Sequence, residues 1–280
     1  SGWMADFGEW LPFDAVLHEG KAPSTHNLYP TSWHRANLEV LEEVENADDL
    51  VLLTRSGFTG EQSIARIVWA GDQEASFDEY DGLPTVVTAG LTLGMAAVPF
   101  FTHDIAGFSG GPSTKELFLR WTELGAFTPV MRTHDGLKKL DNWRFDSDAE
   151  TLAHFRFFAR LHAALLPYFK ALAIEAVNTG MPIIRHTGIV DSEWTEAMNA
   201  HRQWMIGTDL LFVPVTTEGA DVIEARFPSG EWEHLFTGES YAGRRVAQVE
   251  APPGLPAVFV RSNSLTEITA AIHSLYAEWK

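Results

Sequence analysis

The chain has 280 residues, no cysteine and a formal net charge of −18. Without cysteine it can form no disulfide, thiolate metal site or cysteine nucleophile, and so acidic a surface argues against nucleic-acid and membrane partners. No apolar run reaches the length of a membrane span, and the N-terminus lacks the basic-then-apolar pattern of a secretory signal, so a cytoplasmic location is the expectation.

Short apolar runs alternate with helical stretches up to about Gly180. Residues 1–7 form an apolar run ending on an acid. Residues 32–45 have helical spacing, with Trp33, Leu38 and Leu41 on one side. Strands are predicted over 50–54, leading into Arg55-Ser56-Gly57, and over 64–69, leading into Ala70-Gly71-Asp72. An apolar helix is predicted over 83–97, a strand over 98–102 ending in His103-Asp104, a helix over 114–124, and a strand over 127–131 before Arg132-Thr133-His134. Ser147-Asp148-Ala149-Glu150 is a capping-box pattern opening a long helix with Leu152, Phe155, Phe158 and Ala159 on its apolar stripe. Pro167 should kink or break that helix. Beyond Gly180 and Pro182 the texture changes, with strand runs at 183–186, 209–216, 222–227 and 257–261 separated by Pro-Gly turns.

Repetition of strand, polar residue, loop and helix is the grammar of a parallel βα fold, and in a (β/α)₈ barrel the chemistry lies where the strands end. Asp6, Arg55, Asp72, Asp104 and His134 each stand at or just after a predicted strand end. The expected architecture is α/β: a partial (β/α)₈ barrel over 1–180, then an all-β sandwich-like domain over 181–280. About five βα units are visible where a barrel has eight, so the rest of the barrel is expected before Ser1, in the same parent chain or in a partner chain. This chain alone is expected to be inactive.

Cleavage of a glycosidic bond with retention uses one carboxylate to attack the anomeric carbon and a second carboxyl, roughly 5 Å away, to protonate the leaving oxygen and then activate water. Asp6 and Asp72 fall on non-adjacent strands of one barrel, aimed at one mouth. Each residue has an ordinary alternative: a lone Asp after a strand is usually a turn or cap, Arg55 a salt-bridge partner, His134 a structural hydrogen-bonding group, and Trp3 and Trp69 packing. His103, Asp104 and His134 match no metal-ligand spacing, so no metal is expected, and no cofactor.

The flanking residues narrow the choice. Gly2-Trp3-Met4-Ala5-Asp6-Phe7-Gly8-Glu9 resembles the nucleophile strand of glycoside hydrolase family 31, and Trp69-Ala70-Gly71-Asp72 its acid/base motif. Arg55-Ser56-Gly57-Phe58-Thr59-Gly60 resembles the Arg-bearing segment between them. His103-Asp104-Ile105-Ala106-Gly107-Phe108 resembles the family's Asp-Ile-Gly-Gly-Phe strand end, and Met131-Arg132-Thr133-His134 the segment whose His binds the sugar. The motifs stand in the family's order, and the resemblance runs on into Trp204-Met205-Ile206-Gly207 and Phe227-Pro228-Ser229-Gly230-Glu231-Trp232.

The resemblance implies a retaining α-glycosidase with Asp6 as nucleophile and Asp72 as general acid/base, binding its carbohydrate through Trp3, Arg55, Trp69, Asp104, Phe108 and His134. Met-Ala-Asp-Phe-Gly-Glu followed by Leu11-Pro12 is most similar to the sulfoquinovosidase subgroup, which makes α-sulfoquinovosides the leading substrate. That subgroup usually carries Tyr, a sulfonate contact, where this chain has Phe108, which offers no hydroxyl. A neutral α-glucosidase, an α-xylosidase or a transglycosylase is the alternative within the family. A non-catalytic carbohydrate-binding fragment is the alternative outside it.

Overall fold

The computed structural model describes residues 2–65 and 67–280. Ser1 and Arg66, which fall within two of the predicted strands, lie outside the described residues. The chain opens with strand β1 (Gly2–Ala5), a helical turn α1 (Ala22–Thr25), helix α2 (Tyr29–Glu42), and strands β2 (Val51–Thr54) and β3 (Ile67–Trp69). Helix α3 (Leu83–Met95), strand β4 (Phe101–Thr102) and helices α4 (Lys115–Ala126) and α5 (Ala149–Thr179) follow. The four strands pair in sequence order, every pair parallel, which crossover connections between them make possible. Leu83, Val86, Val87, Gly90, Leu91 and Gly94 give α3 one buried face at helical spacing.

The strand expected over 127–131 is displaced. Phe127 ends α4, and a turn follows in which the Thr128 hydroxyl donates to Gly125 O at 2.8 Å. Phe127 is spent on the core, 4.8 Å from the Phe212 ring. The parallel contact comes later, between Ile105 and Thr133, with Ile105 N–H donating to Arg132 O at 3.3 Å.

Helix α5 corrects three expectations. Its cap is Asp148, which accepts from Thr151 N–H at 2.7 Å, so the capping pattern is shifted by one residue. Pro167 lies inside an unbroken helix. Leu161, Leu165, Tyr168, Phe169 and Leu172 bury the turns around it, and that packing outweighs the roughly 3 kcal/mol an interior proline costs. By length and composition α5 could also cross a membrane, contrary to the sequence reading. Here its apolar side is taken up by the protein's own core, where Trp279 stacks on Phe157 at 4.5 Å.

The remainder comprises β5 (Ile184–Arg185), the turns α6 (Thr187–Val190) and α7 (Thr195–Met198), β6 (Trp204–Ile206), β7 (Leu210–Val213), β8 (Val222–Phe227), β9 (Glu231–His234), β10 (Ser240–Ala242), β11 (Arg245–Glu250), β12 (Ala257–Arg261) and a final helix α8 (Thr266–Trp279). Antiparallel pairing gives one sheet in the order β10-β9-β12-β7-β6-β5 and a ribbon β11-β8. The sheet is apolar on both faces because strand residues alternate sides. Trp204, Ile206, Leu210, Phe212 and Val258 join α3, α4, α5 and α8 in one core. Met205, Leu211, Val213, Ala257 and Phe259 join the ribbon's Ala225, Phe227 and Val249 in another. Helix α8, unanticipated from sequence, packs along α5.

A buried polar cluster ties α4 to this sheet-rich part. Arg120 donates to Ala251 O at 2.8 Å and Ala220 O at 2.7 Å, while Glu123 accepts from Gly254 N–H at 2.6 Å. Burial pushes the Glu123 carboxyl up to about 7, against the pull of Arg120 and the Gly254 N–H. Burial also holds His154 down to about 4, and likewise His103 to about 3 and His234 to about 4. Glu123 has a folded pKa above its unfolded 4.5, so its contribution to stability is full below 4.5 and is lost as pH rises toward about 7. The histidines have folded values below their unfolded 6.5, so theirs is full above 6.5 and is lost as pH falls toward about 4. In Glu123→Gln the histidine slope is no longer opposed by Glu123. Its thermal midpoint should therefore fall more steeply than wild type when pH is lowered from 6.5 to 4.5; parallel slopes would show that Glu123 is not titrating in that window.

Candidate active site

Asp6 follows directly on β1. Ala5 on the strand is buried toward α2, against Leu41 and Leu52. The chain then turns sharply through two left-handed residues, Phe7 (φ 64°) and Gly8 (φ 95°). A Cβ at Gly8 would stand 2.9 Å from Trp33 Cδ1, so only glycine fits. Three bonds hold this turn. Phe7 N–H donates to Asp6 Oδ1 at 2.8 Å, Trp33 Nε1 donates to Asp6 O at 3.0 Å, and Ser56 Oγ donates to Phe7 O at 2.9 Å.

Arg55, just past β2, meets three carboxylates. Its Nη1 lies 3.2 Å from Asp6 Oδ1 and 3.0 Å from Asp72 Oδ2. Its Nε and Nη2 both reach Glu9 Oε1, at 2.9 and 2.6 Å. The guanidinium carbon sits 4.5 Å from the Phe7 ring centre and 5.7 Å from that of Trp10. Burial works against the Arg55 charge, but the bond to Glu9 and the fields of Glu9, Asp6 and Asp72 outweigh it and raise its pKa. Because Asp6 and Asp72 touch the same nitrogen, their near oxygens are no farther apart than the 3.2 and 3.0 Å contacts laid end to end.

The loop carrying Asp72 is stitched to the loop after β4. Ser109 Oγ donates to Asp72 O at 2.9 Å, and the N–H groups of Phe108 and Ser109 donate to Gln73 O at 2.8 and 3.1 Å. Gly107 (φ 80°) permits this approach: a Cβ there would stand 2.8 Å from the Ala75 backbone.

Asp104 lies deeper, its side chain 3% exposed, with Arg132 Nη2 at 2.8 Å from Oδ1. Burial pushes its pKa up, opposed by Arg132 and His134 and reinforced by Asp72 and Asp6. The Arg132 guanidinium also stands 5.9 Å from the ring centre of the buried Trp69. Phe108 meets His134 edge-on at 5.0 Å, and His134 Nδ1 accepts from Gly136 N–H.

Arg55 thus joins Asp6 and Asp72, Asp104 lies in the fields of both and of His134, Phe108 packs on His134, and Trp69 lies beneath Arg132. Trp3 is directed elsewhere. It shares the α2-facing side of β1 with Ala5, and its Nε1 donates to Asn37 Oδ1 on α2 at 2.9 Å. Glu9 and Arg132 were not singled out from sequence. Glu9 stood in plain view inside Asp-Phe-Gly-Glu, and a buried Asp104 should have prompted a search for its cation.

Residues 1–172 match the TIM-barrel domain of the glycosyl hydrolases of family 31, and residues 180–265 match that family's C-terminal domain. The chain belongs to glycoside hydrolase family 31. Its parallel sheet is therefore part of a TIM barrel, and its antiparallel sheets form the C-terminal domain that follows. The chain is 40% identical over 269 residues to a sulfoquinovosidase of Agrobacterium fabrum strain C58, covering 94% of this chain and 40% of that protein. It is 39% identical over 267 residues to the sulfoquinovosidase of Escherichia coli K12, covering 94% and 39%. Among solved structures, a family 31 sulfoquinovosidase from E. rectale in complex with an aza-sugar inhibitor superposes with a TM-score of 0.94 at 35% identity, over 98% of this chain and 42% of that one. The chain spans about 40% of the length of the curated relatives it matches.

The Asp104–Arg132 pair gives a direct test. Arg132→Met leaves a buried carboxyl without its cation, which should cost about 3 kcal/mol near neutral pH. Asp104 already titrates above its ordinary 3.8, so protonation relieves the folded variant and the deficit should shrink as pH falls toward 4. Denaturant melts at both pH values measure it; a deficit independent of pH would mean the carboxyl is not the source.

Proposed function

We propose that Asp6 is the nucleophile and Asp72 the general acid/base of a retaining α-glycosidase, working in a complete barrel whose other strands come from the same parent chain or a partner. The shared Arg55 Nη1 contact supports this above all, because it brings two strand-end carboxylates to one cation, and the two-step route uses two carboxyls close together. Asp6, with one oxygen tied to the Phe7 N–H and facing Arg55, attacks the anomeric carbon. Asp72 delivers a proton to the departing oxygen. In the second step Asp72 takes a proton from water, which opens the Asp6 glycosyl ester and returns the α configuration. Asp104 and Arg132 present acceptors and donors to the sugar hydroxyls.

The substrate proposed is an α-sulfoquinovoside. The two sulfoquinovosidase relatives and the run from Gly2 to Glu9 support it. One observation favours a neutral α-glucoside instead: Phe108 has no hydroxyl and packs edge-on against His134.

In the complete enzyme, Asp6→Asn should lose several orders of magnitude in kcat, and a fluorosugar trap should label Asp6. Proton NMR of the first turnovers should show the α-anomer; early β-anomer, or a label on Glu9, would sink the assignment. Comparing kcat/KM on matched aryl α-sulfoquinovoside and α-glucoside decides the substrate. A ratio above about a hundredfold in favour of the sulfonate is expected, and Phe108→Tyr should raise it further.

A further inference from the structure

Glu9 has no part in the two-step chemistry, yet it binds Arg55 more closely than either aspartate does. Its Oε1 accepts the Nε–H at 2.9 Å and stands 2.6 Å from Nη2, so one edge of the guanidinium is turned to Glu9. Nη1 is the nitrogen that faces Asp6 and Asp72. Phe7 and Trp10 lie over the guanidinium, and the side chain is only 9% exposed. Glu9 Oε2 is itself buried with no hydrogen-bond partner among the described residues. A carboxylate left half-satisfied in this way is a costly fixture, hard to account for by stability alone.

We propose that Glu9 is a positioning residue that acts on the reaction through Arg55. A free guanidinium prefers a carboxylate edge-on, with two parallel N–H donors on its two oxygens. Asp6 stands within 3.2 Å of Nη1, and clamped in that way it would lose the lone pairs it needs for attack. By occupying the Nε/Nη2 edge, Glu9 denies that edge to Asp6 and fixes the guanidinium so that Nη1 makes one contact with each aspartate. Its negative charge also offsets the cation that Asp6 and Asp72 share. Asp104, Arg132 and His134 also face this cluster through Asp104, and among the described residues no ion pair or hydrogen bond joins them to Glu9.

This inference rests on the roles given to Asp6 and Asp72, and the test keeps the two apart. In the complete enzyme, Asp6→Asn checks those roles alone. Where that variant is inactive, Glu9→Ala should lower kcat about a hundredfold, with KM within about threefold. Glu9→Gln keeps an acceptor for both N–H groups and should lose about tenfold. Inactivation by a glycosyl fluoride trap, whose leaving group needs no proton from Asp72, should slow in the same proportion. In an Arg55→Ala background either substitution should cost less than about twofold more, since there is no guanidinium to hold. Should Glu9→Ala fail to fold, Glu9→Gln in the two backgrounds decides alone. Wild-type kcat in Glu9→Gln, or a full additive loss in the Arg55→Ala background, would overturn the proposal.

Discussion

Asp6 and Asp72 are drawn together by ends of strands that do not adjoin, and like charges a few ångströms apart repel by several kcal/mol near a protein surface. Arg55 stands on the strand between them, and its Nη1 reaches both. The parallel order β1-β2-β3 is what puts the cation in the middle, so sheet topology and site electrostatics are one arrangement. Much of the surrounding structure serves that contact. The left-handed turn at Phe7 aims Asp6, the loop around Gly107 steadies Asp72, and two aromatic rings cover the guanidinium.

The site was legible where it is written in contiguous runs. Asp6, Arg55, Asp72 and Asp104 each follow a strand in a recognisable run, and the structure collects them. Trp3 shows the limit: a motif conveys that a tryptophan stands near Asp6 in the chain, but strand alternation turns it toward Asn37. Glu9 and Arg132 depend on partners far along the chain, Arg55 and Asp104, and pairings of that kind have no local signature.

The fold was legible in a similar way. Strands 222–227 and 257–261 match β8 and β12, whose apolar patterning is strong. β9 was passed over although Trp232 and His234 alternate with glutamates, and β11 because its outer residues are polar. Pro167 misled because the rule against interior proline describes an isolated helix, whereas α5 is held on several sides by other aromatic and aliphatic groups. Phe127 misled in the opposite sense: its apolar character is used for burial against Phe212 rather than for strand pairing.

The six-stranded sheet gives alternate residues of each strand to two different cores. Trp204 and Phe212 belong with the barrel helices, while Met205 and Leu211, their immediate neighbours, belong with the outer ribbon. A substitution that shifted the register of β6 or β7 by one residue would therefore exchange the contents of both interiors at once. The C-terminal unit is for this reason not a cassette that could be grafted from one barrel onto another. Chimaeras joined at Gly180 would inherit half an interior from each parent, and homologous exchange should succeed only where α3, α4, α5 and α8 travel together with the sheet they cover.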